Sequence, residues 1–394
     1  MKPSKLRITS IVRLTVLASM AAVLHSRECA RSDESPEVIE PLFSFDIEHP
    51  KATVPLPGVK LHPLPHPGKR TDTRTAMTEN GDIYVGGEGY LWKSTDRGVS
   101  WTRDTLPSFG GGGGFGILAG DVFVLAYDAE APGVKQNTFV MRSTDYGETW
   151  SEPFRLDISP YDSSGGGWCH IYQHPDGTAM MTVTLRHRDK AFQEWDNPQV
   201  RGMRDHVFRS TDGGKTWGDR TLLAMHAAET SVLALRDSQK MLAYVRAQRG
   251  RLPHDPPDLE EKTGAEKDGF WAVKNGVIAE SHDAGRTWTN LRLFDTLGGA
   301  PGEIVQAPDG TIAAVWLQRY PHEKAEIRVR ITRDEGQTWS KITYWLMKGT
   351  GYPSSVVYPD GTIVTVCENT EMDRRGKPVG DRSLVAARWT MPAE

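Results

Sequence analysis

Short runs of β-branched and aromatic residues recur along this chain, and each run follows a tight-turn signal. The run from Ile83 to Val85 is one example, because Asn80 and Gly81 precede it closely. No long stretch shows the 3.6-residue period of an amphipathic helix, so the pattern predicts an all-β fold. The six turn signals begin at Asn80, Ala119, Pro175, Arg236, Pro308 and Pro359.

An eight-residue phrase interleaves with these turn signals. It has the pattern S/T-x-D-x-G-x-S/T-W, and its first copy runs from Ser94 to Trp101. We interpret it as a turn in which the Asp side chain accepts hydrogen bonds from backbone amides one or two residues on, while the Gly adopts a positive φ. The Trp then resumes a strand and packs between neighbouring sheets. The aspartates of the five copies are Asp96, Asp145, Asp212, Asp283 and Asp334.

The two repeats together define a unit of four strands. A turn signal joins the first two strands of the unit, and the eight-residue phrase joins the last two. Six such units predict a six-bladed β-propeller, which forms one domain over residues 29–394. The sixth unit lacks the phrase and ends at Leu384 to Trp389, so we expect residues from about 40 to 60 to supply its missing strand and close the ring.

Residues 1–28 are interpreted as a secretion signal. Basic residues precede an apolar run from Leu14 to Leu24, which is too short to span a bilayer comfortably. The chain is therefore expected to be secreted or periplasmic, with no stable membrane span after cleavage. An uncleaved membrane anchor is the alternative.

Charge and cysteine content narrow the class of protein further. The formal net charge is −4 and the basic residues are scattered, which argues against nucleic acid as a partner. Cys169 and Cys367 lie in different units, and we expect two buried thiols rather than a disulfide. The histidines show no spacing that would bind a metal, so no metal or cofactor is expected.

Because successive strands alternate in direction, a set of polar and charged side chains is expected at one mouth of the predicted ring. The irregular loops, which link the second strand to the third and one unit to the next, share this face. Tyr352 and Glu229 each lie eight residues before the turn aspartate of their unit, so both are expected to begin an innermost strand here. The other polar residues expected at this mouth are Arg70, Asp72, Arg74, Glu88, Arg246, Arg319 and Glu368. Such a mixture of charges suits a polar, acidic ligand.

The eight-residue phrases resemble the Asp boxes of the sialidases (neuraminidases), which are six-bladed propellers. The segment from Gly351 to Glu368 resembles the one that carries the family's nucleophilic Tyr, here Tyr352, and that ends in the Glu which steadies an Arg. The segment from Glu229 to Arg246 resembles the one with the Glu partner of that Tyr and one Arg of the carboxylate-binding triad.

The remaining Arg positions of the family are matched less closely. Lys324 stands where the family has an Arg, and Arg319 or Arg328 could substitute for it. The Arg that opens the first unit in the family is also absent. Arg70 is nearest to it in offset, and Arg74 has the same side-chain phase.

The general acid of the family is an Asp on a loop of the first unit. Here that loop is shortened to residues 86–89 and contains no Asp. Glu88 or Asp72 could serve in its place.

Three functions follow from this reading. The first is an exo-α-sialidase, or a relative that cleaves another acidic sugar from a glycan or glycoconjugate by a retaining mechanism. A Tyr suits this reaction because, unlike Asp or Glu, it is not repelled by the carboxylate of the substrate. The second is a non-catalytic propeller that binds sugar or protein. The third is a glycosidase that uses Asp/Glu pairs on the same scaffold. The sequence leaves the oligomeric state open.

Overall fold

The computed structural model describes residues 44, 45, 50–69, 72–106, 114–165, 169–186, 203–236, 238–252, 255–265 and 271–393. The predicted secretion signal and Arg70 lie outside these residues. Within them, no helix has the length and apolar character needed to cross a membrane.

The described chain is all-β apart from one short α-helix, α1 (Leu259–Thr263), and one 3₁₀ helix (His322–Lys324). The strands are β1 (Ala52–Pro55), β2 (Lys60–Leu64), β3 (Arg74–Met77), β4 (Ile83–Gly87), β5 (Tyr90–Ser94), β6 (Thr102–Thr105), β7 (Gly114–Leu118), β8 (Val122–Ala131), β9 (Val134–Ser143), β10 (Phe154–Arg155), β11 (Ser163–Gly165), β12 (Ile171–Gln173), β13 (Ala179–Arg186), β14 (Arg204–Ser210), β15 (Gly218–Met225), β16 (Ala227–Ala234), β17 (Met241–Arg249), β18 (Val273–Ser281), β19 (Thr289–Leu293), β20 (Gly299–Gln306), β21 (Ile312–Gln318), β22 (Glu326–Thr332), β23 (Ile342–Lys348), β24 (Ser354–Val357), β25 (Ile363–Glu368) and β26 (Leu384–Trp389).

These strands form five sheets, and almost all neighbours in a sheet are antiparallel. Three sheets have four strands each, in the orders β3-β4-β5-β6, β16-β17-β18-β19 and β24-β25-β26-β2. A fourth has the order β20-β21-β22-β23-β1. The fifth has nine strands and runs from β7 through β8, β9, β11 and β13 to β14 and β15, with β10 on β9 and β12 on β13.

The sheets are arranged around a ring, as in a propeller. Strand β24 contacts β3, β3 contacts β7, and β7 contacts β12. Strand β13, the partner of β12, contacts β16, and the ring continues through β20 back to β24. The first strand of each unit therefore lies innermost, so that residues just before these strands face one mouth of the ring.

The ring is closed by pairing between distant parts of the chain. Strand β2 pairs antiparallel with β26, and Leu64 lies opposite Leu384. The expected closing segment, about 40 to 60, was placed too early, because β2 spans residues 60–64. Strand β1 instead adds parallel to β23 of the preceding sheet.

In all five copies of the eight-residue phrase, the Asp carboxylate accepts the backbone amide and the hydroxyl of the Ser or Thr four residues on. In the first copy, Asp96 accepts the backbone amides of Val99 at 3.1 Å and Ser100 at 2.8 Å, together with the Ser100 hydroxyl at 2.5 Å. The prediction that the Asp bonds amides one or two residues on was wrong. Two successive residues, Arg97 and Gly98, have positive φ and bring amides three and four residues on to the carboxylate.

The hydrophobic core lies between neighbouring sheets. Trp92 of the first sheet is fully buried in one cluster with Val364 and Val366 of the last sheet, and Trp101 packs against this cluster. Burial of a large apolar side chain stabilises a fold by about 2 to 3 kcal/mol. The expectation for the thiols also holds in the structure, because Cys169 and Cys367 are buried and unbridged.

Candidate active site

A phenol and a carboxylate from distant sheets meet at the mouth of the ring. Tyr352 lies two residues before β24, and Glu229 lies in β16. Both side chains are buried, with 3% and 8% exposure. The Tyr352 hydroxyl donates a hydrogen bond of 2.8 Å to Oε1 of Glu229. This is the contact on which a Tyr nucleophile with a Glu base would depend.

A local irregularity of the backbone positions Glu229. Its φ is +60°, and the register of β16 with β17 shifts between Ala228 and Ser231, which marks a bulge. The amide of Glu229 donates to the Thr184 hydroxyl at 3.3 Å. The next amide, of Thr230, donates to Asp205 at 3.1 Å. Contacts from the adjacent sheet thus hold a residue in a left-handed conformation that a non-glycine residue rarely adopts.

Arg246 supplies the counter-charge to Glu229. It lies on β17, and its guanidinium donates to Oε2 of Glu229 and to Oε1 of Gln248. Gly276 faces Arg246 across the strands, and a Cβ at that position would clash with the phenol of Tyr244. Gly276 therefore allows Tyr244 to pack below the site.

The electrostatics of the pair keep the proton on the Tyr at rest. Burial works to raise the pKa of Glu229, but the charge of Arg246 and the hydrogen bonds from Arg246 and Tyr352 together outweigh it and hold the pKa below its ordinary value. Burial, and then the negative charge of Glu229, raise the pKa of Tyr352 well above that of a free phenol. Tyr352 is thus neutral until a base accepts its proton, and Glu229 is the ionised base in contact with it.

The first sheet contributes Arg74 and Asp72, both buried, at 3% and 4% exposure. The guanidinium carbon of Arg74 lies 5.9 Å from the centre of the Tyr352 ring, and its Nε donates to the Cys169 carbonyl at 3.2 Å. The charge of Asp72 helps to raise the pKa of Tyr352, so this carboxylate also lies near the phenol.

Glu88 and Lys324 are not part of this cluster. Glu88 follows β4 in a tight turn with φ of +50°, and its ion pair within the described chain is with Lys69 at 4.0 Å. Lys324 is exposed on the 3₁₀ helix. The loop that includes this helix carries Arg319, rather than Lys324, to the site.

Arg319 follows β21 directly and is partly buried. Burial, reinforced by the like charge of Arg246, lowers the pKa of its guanidinium. Its side chain forms no hydrogen bond or ion pair with another described residue. Arg319 thus presents to the site a cationic group that is in no ion pair within the described ranges.

Glu368, the last residue of β25, binds Arg382, which the sequence analysis did not single out. Its Oε1 accepts from the Arg382 guanidinium and from the Thr370 hydroxyl at 3.0 Å. Arg319, Glu368 and Arg382 line a cavity of about 180 Å³ together with His322. Sequence reasoning missed Arg382, which lies on an irregular segment without a periodic pattern.

Gln248 and Asp205 were also missed. Gln248 had a sequence signal, because it lies two residues after Arg246 and so shares its face of the strand. Asp205 had none, since it reaches Thr230 from another sheet. No group of three or more His, Cys, Asp or Glu able to hold a metal occurs in the described ranges.

The chain has only distant sequence similarity to curated proteins, and those described here are xyloglucanases. No family model matches it. A xyloglucanase of a Paenibacillus species is 25% identical over 291 residues, which is 68% of this chain and 24% of that protein. Xyloglucanase Xgh74A of Acetivibrio thermocellus is 32% identical over 145 residues, which is 33% of this chain and 16% of that protein. The chain thus spans at most about a quarter of the length of these curated relatives.

Several solved structures share the fold. A Dyadobacter fermentans protein of unknown function has a TM-score of 0.61 and 18% identity, over 85% of this chain and 100% of that chain. The Hadza microbial sialidase Hz136 has a TM-score of 0.57 and 16% identity, over 81% and 65% of the two chains. The α-L-arabinanase of Penicillium chrysogenum has a TM-score of 0.54 and 14% identity, over 82% and 95%. At these identities the likeness shows the propeller arrangement alone.

Proposed function

We propose that this chain is a secreted or periplasmic glycoside hydrolase that removes terminal acidic sugars, in the manner of an exo-α-sialidase. The observation that carries the proposal is the buried hydrogen bond from Tyr352 to Glu229 among cationic groups. We further propose that the nine-stranded sheet comprises two blades of a six-bladed propeller, and that the five phrase turns are Asp boxes. The sialidase among the structural neighbours supports this scaffold.

The balance of charge favours an acidic substrate. Four cationic groups, of Arg74, Arg246, Arg319 and Lys274, lie near Tyr352 or are electrostatically coupled to its partner Glu229. Two carboxylates, of Asp72 and Glu229, face them. The surplus is positive and largely shielded from water. A substrate carboxylate would reduce this surplus, and Arg side chains can bind it with paired hydrogen bonds.

The proposed reaction is a double displacement. Glu229 accepts the phenolic proton while Oη of Tyr352 forms a bond to the anomeric carbon and the bond to the leaving oxygen breaks. Asp72, which lies near the phenol, enters the reaction in its protonated form and gives its proton to that oxygen. Water then attacks the anomeric carbon while the bond from that carbon to Oη of Tyr352 breaks. Asp72 takes the proton of the water, and Glu229 returns its proton to the Tyr352 oxygen. The product keeps the configuration of the substrate.

The test is the release of 4-methylumbelliferone from its α-sialoside. We expect Tyr352→Phe to lower kcat by roughly 10⁴-fold or more, because the nucleophile is lost. Tyr358→Phe is the matched control, since Tyr358 is also buried but donates its hydroxyl to the Gly81 carbonyl in a turn. Equal turnover by wild type and Tyr352→Phe would refute the mechanism.

A second candidate is a hydrolase of neutral glycans. The two curated relatives described above are xyloglucanases, and a xyloglucan chain of neutral sugars would not need a cationic carboxylate-binding site. In that case Asp72 and Glu229 would form the acid and base pair. Release of reducing ends from xyloglucan by wild type and by Tyr352→Phe, but not by Asp72→Asn, would favour it. Glycan binding without turnover of either substrate would favour a binding protein.

A further inference from the structure

A lysine that no sequence pattern singled out shares the sheet face of the site. Lys274 is the second residue of β18 and lies directly opposite Gln248 of β17. Gln248 in turn accepts a hydrogen bond from Arg246. Residues two apart on a strand, and residues directly opposite on neighbouring strands, project from the same face. The ammonium of Lys274 and the guanidinium of Arg246 therefore emerge side by side.

Among the described residues, the surroundings of Lys274 provide contacts but no ion-pair partner. The residue is 6% exposed, and its Nζ donates to the Tyr320 hydroxyl at 3.2 Å. Nζ also lies 5.4 Å from the centre of the Tyr320 ring and 5.5 Å from that of Trp271. The side chain of Lys274 makes no ion pair with any residue that the structure describes. Two aromatic rings thus hold a buried cation in place.

The charged neighbours make this arrangement costly without a ligand. Arg246 and Arg319 both repel the ammonium, and Glu229, the attractive charge, is already paired with Arg246. A buried charge without a counter-ion is strongly disfavoured unless something compensates it. Lys274 and Arg319 share this condition, and they come from adjacent sheets, where Lys274 donates to Tyr320, the residue after Arg319.

We propose that Lys274 is a substrate-binding cation, and that its ammonium and the guanidinium of Arg319 together bind the carboxylate of the acidic sugar. This inference rests on the proposed function, because it assumes an anionic substrate. The site would then contain one binding group, Lys274, whose charge changes near neutral pH, beside guanidinium groups that stay charged.

The protonation of Lys274 then controls affinity. Burial, Arg246 and Arg319 lower its pKa to about 7. The ammonium is present below that pH and is lost above it, so the affinity for an anion falls as pH rises through 7. Among the facing groups, Glu229 has a lowered pKa and stays ionised, and burial lowers the pKa of His322 below 6.5. Burial raises the pKa of Asp205 to about 6 and that of Asp295, which accepts the Gly276 amide, to about 7. Lys274 and these two carboxyls are therefore the groups expected to titrate between pH 6 and 8.5, and the Lys274 variants separate its contribution from theirs.

Calorimetric titration with N-acetylneuraminic acid from pH 6 to 8.5 tests the inference. We expect the affinity of the wild type to fall roughly tenfold over this range, since each pH unit above the pKa removes most of the charged form. Lys274→Met should bind about ten-fold or more weakly at pH 6 and show no such fall. Lys274→Arg should bind at pH 8.5 as well as at pH 6, because a guanidinium does not titrate there.

Two controls separate the possible failures. Lys324→Met removes an exposed lysine from a nearby loop and should behave as the wild type. The methyl ester of the same acid lacks the negative charge and should show no effect of Lys274→Met. Wild-type affinity and pH dependence in Lys274→Met would overturn this inference alone. No binding of the acid by the wild type at pH 6 would overturn the proposed function itself.

Discussion

Replacement of Glu229 by Gln tests whether the cationic cluster depends on this one carboxylate for its stability. The side chain volume is conserved, and the amide oxygen can still accept from Tyr352. What is lost is the negative charge beside Arg246. The two partners of the ion pair are 10% and 7% exposed, so water cannot replace the missing charge.

The expected loss is about 3 to 5 kcal/mol of the free energy of unfolding, which is typical when one partner of a buried pair is removed. A Coulomb estimate agrees, because unit charges about 4 Å apart interact by about 4 kcal/mol at an effective dielectric constant of 20. The loss depends on pH. The pKa of Glu229 is lowered on folding, so its contribution is full above the unfolded pKa of about 4.3 and is lost as pH falls through the folded value.

Urea denaturation at pH 7, followed by Trp fluorescence, measures the change for Glu229→Gln, Arg246→Gln and the double variant. The double variant should lose less than the sum of the single losses, because it leaves no unpaired charge. Glu326→Gln is the matched control, since its ion pair with Arg328 is about one quarter exposed and should contribute less than about 1 kcal/mol. A loss below about 1 kcal/mol for Glu229→Gln, or strict additivity, would refute the reasoning.

Three further predictions concern the supports of the site and the turns. Asp205→Asn should lower kcat about 10- to 100-fold with little change in KM, because an amide cannot accept the Thr230 amide and hydroxyl as the carboxylate does; unchanged kcat would contradict this. Gly276→Ala should lower the free energy of unfolding in urea by about 1 to 3 kcal/mol, because the added methyl group overpacks against Tyr244. Gly218→Ala places its methyl group in open space and should lower the free energy of unfolding by less. Hydrogen bonds from Ser100 lower the pKa of Asp96 to about 2, so the melting temperature should fall as pH drops from about 4 towards 2; a flat profile would exclude a role for the turns in acid stability.

Local chemistry made the repeat turns and the central pair predictable from sequence. The phrase around Asp96 contains every group that its turn requires, so no distant contact is needed to form it. The contact between Tyr352 and Glu229 could be predicted because both residues lie the same number of positions before a turn. On a β-strand that number determines to which side the side chain points. The offset could not reveal the bulge that holds Glu229 at positive φ.

Contacts between distant segments explain what sequence reasoning missed. Arg382 reaches Glu368 from an irregular segment, and Lys274 reaches the site only through the pairing of β18 with β17. Lys324 occupied the expected position in the sequence, yet the loop that carries it turns the lysine to the surface. In these cases tertiary packing determines the surroundings of the side chain. The pattern of hydrophobic and polar residues along the chain does not show which distant segments come together.

The pairing of β2 with β26 has a consequence for how the protein is made. About 320 residues separate the partners Leu64 and Leu384, so at roughly 5 to 20 residues per second the ribosome needs on the order of tens of seconds to supply the second strand. Tyr352 belongs to the sheet that this event completes. A nascent chain therefore holds Glu229 and Arg246 before the phenol of Tyr352 is synthesised, and the proposed catalytic pair is assembled among the last steps of biosynthesis.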